Sequence, residues 1–223
     1  MKPKMERHFH EELTSFKEKL IRMSHLVEIN IDNAIEAVLK RNRLLAAEVF
    51  EKEKLINGLE IEIDDIGHSL LALGQPMAID LRLITTILKM NTDLERLGDH
   101  AVNIAERAVE LDEAPPIETN LHLVEMTLAV RKMLKDALDA FMQNNLTLAD
   151  EVLKCDDVVD AYNDSLYTQL QNLMEKDPAV IKTGMRFARI GHDLERIGDL
   201  ANNIAENVVY LGLGKEVRHH IES

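Results

Sequence analysis

A chain of 223 residues with one cysteine and no tryptophan is long enough for one or two cores without covalent staples; it cannot close an internal disulfide, which suits a reducing compartment. Forty acidic against 26 basic side chains leave a net charge of -14, so nucleic acid and anionic lipid are excluded as default partners, in favour of cations or basic patches on proteins. No uncharged apolar run approaches the ~20 residues of a bilayer span, and Met1 to Leu20 lacks the basic-then-apolar layout of a secretory signal; the expectation is a soluble, cytoplasmic protein without direct membrane insertion.

The dominance of Leu, Ala, Met, Glu and Lys is the palette of helices packed on helices. Breakers stand at Arg41-Asn-Arg43, Gly74-Gln-Pro76, Pro115-Pro116, Asn144-Asn145 and Asp177-Pro178, with Gly212 and Gly214 near the end. The six segments between them carry apolar residues three or four apart and never alternate, which predicts six helices. In the first, Phe9, Leu13, Phe16, Leu20, Met23, Val27, Asn30, Ala34 and Val38 form a bundle seam with one polar member. Proline lacks an amide donor and crowds the preceding turn, so Glu113-Ala-Pro-Pro-Ile117 marks the domain boundary, giving units 1–114 and 117–223 with a short tail.

The second unit repeats the first. Residues 34–37 (Ala-Ile-Glu-Ala) answer to 137–140 (Ala-Leu-Asp-Ala), Asn42 to Asn145 and Ala46 to Ala149 at an offset of 103. Residues 92–111 and 192–211 align at an offset of 100 with thirteen identities in twenty positions, including Asp93-Leu-Glu-Arg-Leu-Gly-Asp99 against Asp193-Leu-Glu-Arg-Ile-Gly-Asp199. Each half is three helices ending in the acidic one, and short connections favour antiparallel neighbours, so the expected fold is all-α, two tandem three-helix bundles.

At 100° per residue, Glu95, Asp99, Asn103 and Glu106 fall on one helix face, as do Glu195, Asp199, Asn203 and Glu206. Acids four apart repel, and core positions have drifted between the halves (Leu97/Ile197, Ala108/Val208) while the acidic face has kept its residue types. That pattern suits carboxylate and amide oxygens around a hard cation. The middle helices supply a second side, Glu53, Asn57, Glu60 and Asp64 in the first half and Asp156, Asp160, Asn163 and Asp164 in the second; an ordinary solvated acidic face is the alternative. Gly98 and Gly198, each costing roughly 1 kcal/mol in a helix, point to close approach of a neighbour or an ion. Arg96 and Arg196 either bridge to nearby acids or balance charge.

Gln75-Pro-Met-Ala-Ile-Asp-Leu-Arg82, the 93–99 heptapeptide, and Phe187-Ala-Arg-Ile-Gly-His-Asp-Leu-Glu-Arg-Ile-Gly-Asp199 together resemble the PhoU-type family of phosphate-uptake (phosphate-specific transport system) regulators, over essentially the whole length. The resemblance implies two three-helix bundles whose Glu/Asp-x-x-x-Asp motifs bind metal, a multinuclear iron centre in some members and other cations in others. Glu95 with Asp99, Glu195 with Asp199, and Glu60 with Asp64 match the motif; Asp160 with Asp164 matches it too, although the repeat alignment sets Asp160 against Asn57 rather than Glu60. Iron is the metal implied, while zinc, magnesium, calcium and manganese suit the same oxygen donors. The resemblance further implies a negative regulator rather than an enzyme. It would act by contact with the ATPase subunit of a phosphate ABC transporter and with a sensor histidine kinase of a two-component system, and a homodimer is expected.

Two alternatives stand beside it. A ferritin-like di-iron carboxylate enzyme needs Glu-x-x-His on two core helices, whereas the one such pair here is Glu216-Val-Arg-His219 in the tail. A metal-free helical scaffold would use its acids for solubility alone. His100 and His192 project away from the carboxylate faces and read as surface histidines. Cys155, beside Asp156 and Asp157, is a poor nucleophile.

Overall fold

The computed structural model describes residues 2–114, 117 and 121–214. The prolines at 115 and 116 and the Glu216–His219 pair lie outside the described residues. The helices are α1 (Lys2–Lys40), α2 (Arg43–Leu73), α3 (Ala78–Asp112), α4 (Leu123–Gln143), α5 (Leu146–Leu153), α6 (Asp156–Lys176) and α7 (Ile181–Leu213), with a 3-10 turn at Pro178–Val180 before α7. Among the described residues there is no strand, and none of these helices is long and apolar enough to cross a membrane.

The repeat extends to the backbone of the first connection in each half. Arg41 (φ 49°) and Asn144 (φ 51°) adopt the left-handed conformation, and the next amide reaches back to the preceding helix, Asn42 N to Ala37 O at 3.0 Å and Asn145 N to Ala140 O at 2.9 Å. The side chains of Asn42 and Asn145 then accept from Leu44 N and Leu148 N, capping α2 and α5, each cap worth about 1 kcal/mol. These turns reverse the chain and set α1 against α2, and α4 against α5.

One of the six expected segments is interrupted. Residues 146–176 form two helices, separated at Lys154–Cys155, with no glycine or proline at the break. Cys155 N bonds Val152 O at 2.9 Å, closing α5 with a tight turn, and the Cys155 thiol donates to Glu151 O at 3.3 Å. Asp156 and Asp157 open α6, where carboxylates favour the positive end of the helix dipole.

α1, α2 and α3 pack on one another, as do α4, α6 and α7 with α5 at their end. The units meet where α3 lies antiparallel to α7, fastened by Arg186 to Glu110 at 2.9 Å and by Arg82 beside Gly214. α2, α3, α7 and α6 therefore lie side by side, with α1 and α4 behind them touching through Arg131, Asp32 and Glu36. One continuous apolar core runs through both units, from Phe16 and Ile63 in the first to Leu166 and Ile197 in the second. The seam residue Asn30 is fully buried, and neither its amide nitrogen nor its oxygen finds a partner.

Candidate metal centre

In the first half, α2 brings Glu53 and Glu60 beside Glu95 and Asp99 of α3. Gly98 makes this approach feasible: a Cβ there would stand 2.7 Å from Glu53 Oε2. Both Glu53 carboxylate oxygens are buried without a hydrogen bond of ordinary geometry, an arrangement that costs free energy unless something compensates it. Burial pushes the Glu53 carboxyl up to about 7, with repulsion from Asp99 and then Glu95 adding to it and the Asn57 amide pulling the other way. Glu95 is raised by burial, then by Asp99 and Glu60, with Arg96 opposing. These groups share one region of negative potential.

Two candidates of this half are turned to other partners. Asn91, fully buried on α3, donates through Nδ2 to Asp64 Oδ1 at 3.0 Å and to Glu60 O at 2.9 Å, so Asp64 belongs to a clamp between α2 and α3. Asn103 points to the seam, where its Nδ2 is 3.3 Å from Asp193 Oδ1. His100 Nδ1 lies 2.9 Å from that same oxygen, and His100 and Asp193 retain 18% and 11% side-chain exposure. His100 is thus an interface residue, not the surface residue its helical position suggested, whereas His192 is exposed.

In the second half Asp156 and Asp160 of α6 stand beside Glu195 and Asp199 of α7. Burial raises Asp156, followed by repulsion from Asp160, Asp199 and Asp157, with Asn202 opposing. Burial raises Asp160 as well, followed by Glu195, Asp199, Asp157 and Asp164. Asp164 is exposed one turn further along α6. Asn163 donates to Glu195 Oε2 at 3.0 Å, and Arg196 Nη1 to Asp199 Oδ2 at 2.7 Å. The Oδ1 atoms of Asn163 and Asn202 are buried without partners; that of Asn163 is turned to Gly191, while Asn202, beside Asp156, adds a neutral oxygen donor of the kind hard cations accept. Asn202 is a residue that the repeat pattern could not single out, because Val102 occupies its place in the first half. Asn203 lines an open pocket shared with Arg96, Asp156 and Arg196.

The acids stand in facing rows. Among the described residues no three Asp, Glu, His or Cys side chains enclose a single point, so holding an ion requires the carboxylates to rotate inward from their helices. The donors are carboxylate and amide oxygens, with one imidazole at the edge of the second cluster, where His192 Nδ1 lies 3.5 Å from Glu195 Oε2 rather than turned away from the acids as its helical position suggested; the oxygen set suits Mg, Ca, Mn or Fe.

The family model described as the PhoU domain matches residues 20–108 and 123–208. The phosphate-specific transport system accessory protein PhoU homolog of Aquifex aeolicus is 40% identical over 95% of this chain and 96% of its own. The homolog of the same name from Clostridium acetobutylicum is 36% identical over 94% and 96%. The crystal structure of PhoU from Pseudomonas aeruginosa superposes with a TM-score of 0.90 at 37% identity, covering 93% of this chain and all of that one. That of the phosphate transport system regulatory protein PhoU from Streptococcus pneumoniae superposes at 0.85 with 30% identity, covering 94% and 99%.

Proposed function

The chain belongs to the PhoU family, and from that premise we propose that it is a cation-binding accessory regulator of phosphate uptake, with one carboxylate centre in each half. The observation that carries the cation reading is Glu53, whose two buried oxygens lie near Glu95 and Asp99 without a hydrogen bond of ordinary geometry, the Asn57 amide being the one group that favours its charge. A cation there would neutralise the cluster and hold the carboxylates ionised at neutral pH. The second cluster, with the unpartnered Asn202 oxygen beside Asp156, supports the same reading. Glu53, Glu60, Glu95 and Asp99 would hold the first ion or cluster of ions, and Asp156, Asp160, Glu195 and Asp199 the second. Iron is the metal of choice by resemblance to the family.

The regulatory part rests on the relatives, which are named as accessory and regulatory proteins of phosphate transport. We extend it to contact with the transporter's ATPase subunit and a sensor histidine kinase, to a cytoplasmic location and to a homodimer. The surface charge fits docking to basic segments, and a cation shared between two helices of one half gives a means of coupling occupancy to the packing of that half. The test is complementation. Deleting this chain's gene should raise phosphate uptake under phosphate sufficiency, and the wild-type chain should restore repression. The combined Glu53→Gln, Asp99→Asn, Asp156→Asn, Asp199→Asn variant should fail to do so while remaining folded. Full repression by that variant would detach the carboxylate centres from the function.

A further inference from the structure

At the α3–α7 seam, beside the second centre, an open pocket of about 340 Å³ is lined by Arg96, Asp156, Arg196, Asp199, Asn202 and Asn203. The two arginines hold the same position in the two repeats, and the antiparallel packing of α3 on α7 brings them to one cavity. Their circumstances differ. Arg196 is tied to Asp199. Arg96 is exposed on α3 and acts on the neighbouring Glu95 through its charge, while its guanidinium, a fork of five N–H donors, lines the pocket. We propose that Arg96 and Arg196 form a seat for a small tetrahedral oxyanion of the phosphate class, held between the guanidiniums and a cation in the Asp156/Asp199 centre.

Charge sets the condition under which this seat works. Asp156, Asp199 and Glu206 place three carboxylates in the pocket against two guanidiniums, so without a cation an anion is repelled. A divalent cation reverses the balance, and oxyanion binding becomes cation-dependent. A tetrahedral oxyanion has oxygens enough to reach an ion and both forks, for which arginine is better suited than lysine. No aromatic side chain lines the pocket, which disfavours a stacked nucleotide base. By linkage, the oxyanion must raise cation affinity at the second centre by the factor by which the cation raises oxyanion affinity.

This inference rests on the cation reading of the second centre, and the experiment separates the two. Full-length protein is loaded with Mn2+, its metal content is measured, and inorganic phosphate is titrated calorimetrically, with sulfate as a competitor of the same shape. Expected are saturable phosphate binding to the loaded protein and at least tenfold weaker binding to the metal-free protein. Arg96→Gln should show a similar loss while the protein still takes up Mn2+, which the measured metal content checks; Arg96 is exposed, so folding should survive, as a melting curve checks. Phosphate should also raise Mn2+ affinity in the wild type and not in Arg96→Gln. Loaded protein that ignores phosphate, or that binds it equally well as Arg96→Gln and as Arg196→Gln, overturns the seat alone. A second centre that takes no Mn2+ overturns both the seat and the cation reading beneath it.

Discussion

The first carboxylate centre is set into the protein and the second lies nearer its surface, although both are built on the same heptapeptide. Gly98 leaves room for the Glu53 carboxylate. Gly198 at the same place in the repeat meets Val159, whose Cγ1 would stand 3.4 Å from an added Cβ, an ordinary contact. Asn91 clamps Asp64 in the first half, while the second has Gly191 and Tyr167 at the corresponding positions. The shift from an offset of 103 to one of 100 means that the second half is three residues shorter between its middle and last helices. A repeated motif on one helix therefore does not determine its surroundings; the helix opposite decides how deeply the acids are buried and which of them meet.

The largest contrast to break lies in the core. Asn30 and Met133 are repeat counterparts, both buried, the one an unsatisfied amide and the other a thioether. Met133→Asn should lower stability by about 2–4 kcal/mol, since it buries an amide where no partner waits. Asn30→Met should raise it by about 1 kcal/mol, as far as the extra volume is accommodated. Chemical denaturation of both variants checks the pair; a stabilised Met133→Asn would mean that the two cores are not equivalent.

Next comes pH. The Glu53 carboxyl, raised to about 7, favours the folded state fully below its unfolded value and loses that contribution as pH rises through about 7. Glu95, Asp156 and Asp160, also raised, act in the same direction. Metal-free protein should thus melt at a lower temperature at pH 8 than at pH 5.5. Glu53→Gln should flatten that slope more than Asp160→Asn does, because Glu53 is the more deeply buried. Added cation should reverse the slope by binding the ionised form. Equal slopes in the two variants would erase the difference in depth between the centres.

The glycines give the smallest effect and the cleanest comparison. Gly198→Ala should stabilise by up to about 1 kcal/mol through helix propensity alone. In Gly98→Ala the same gain is offset by displacement of the Glu53 carboxylate, and cation affinity should fall in the first half only. Thermal melts with and without Mn2+ distinguish them; matching responses would show that Gly98 makes no room that matters.

Much of this frame was legible in the sequence because it rests on local rules. Asn42 and Asn145 stand at breaks that the sequence marks and that the structure closes with their side-chain caps, and apolar spacing along α1 identifies Phe16, Leu20 and Met23, all fully buried. The facing of Glu53 by Glu95 and Asp99 was also readable, from two amphipathic helices in antiparallel contact. What escaped was decided by third parties. The break at Lys154–Cys155 contains no breaker residue. The helical wheel rightly turns His100 away from the carboxylates, but a single helix carries no record that α7 covers that side. The pocket with Arg96 and Asn202 exists only once the halves have docked.

Whether both centres hold cations decides how this protein works. Metal content should be measured by elemental analysis on protein purified without chelators or a metal-affinity tag, for the wild type, for Glu53→Gln with Asp99→Asn, and for Asp156→Asn with Asp199→Asn. The prediction is metal in the wild type and loss of a distinct share of it in each double variant. Metal-free wild-type protein that takes up no Mn2+ or Fe2+ on titration, or metal content unchanged in both double variants, would contradict it.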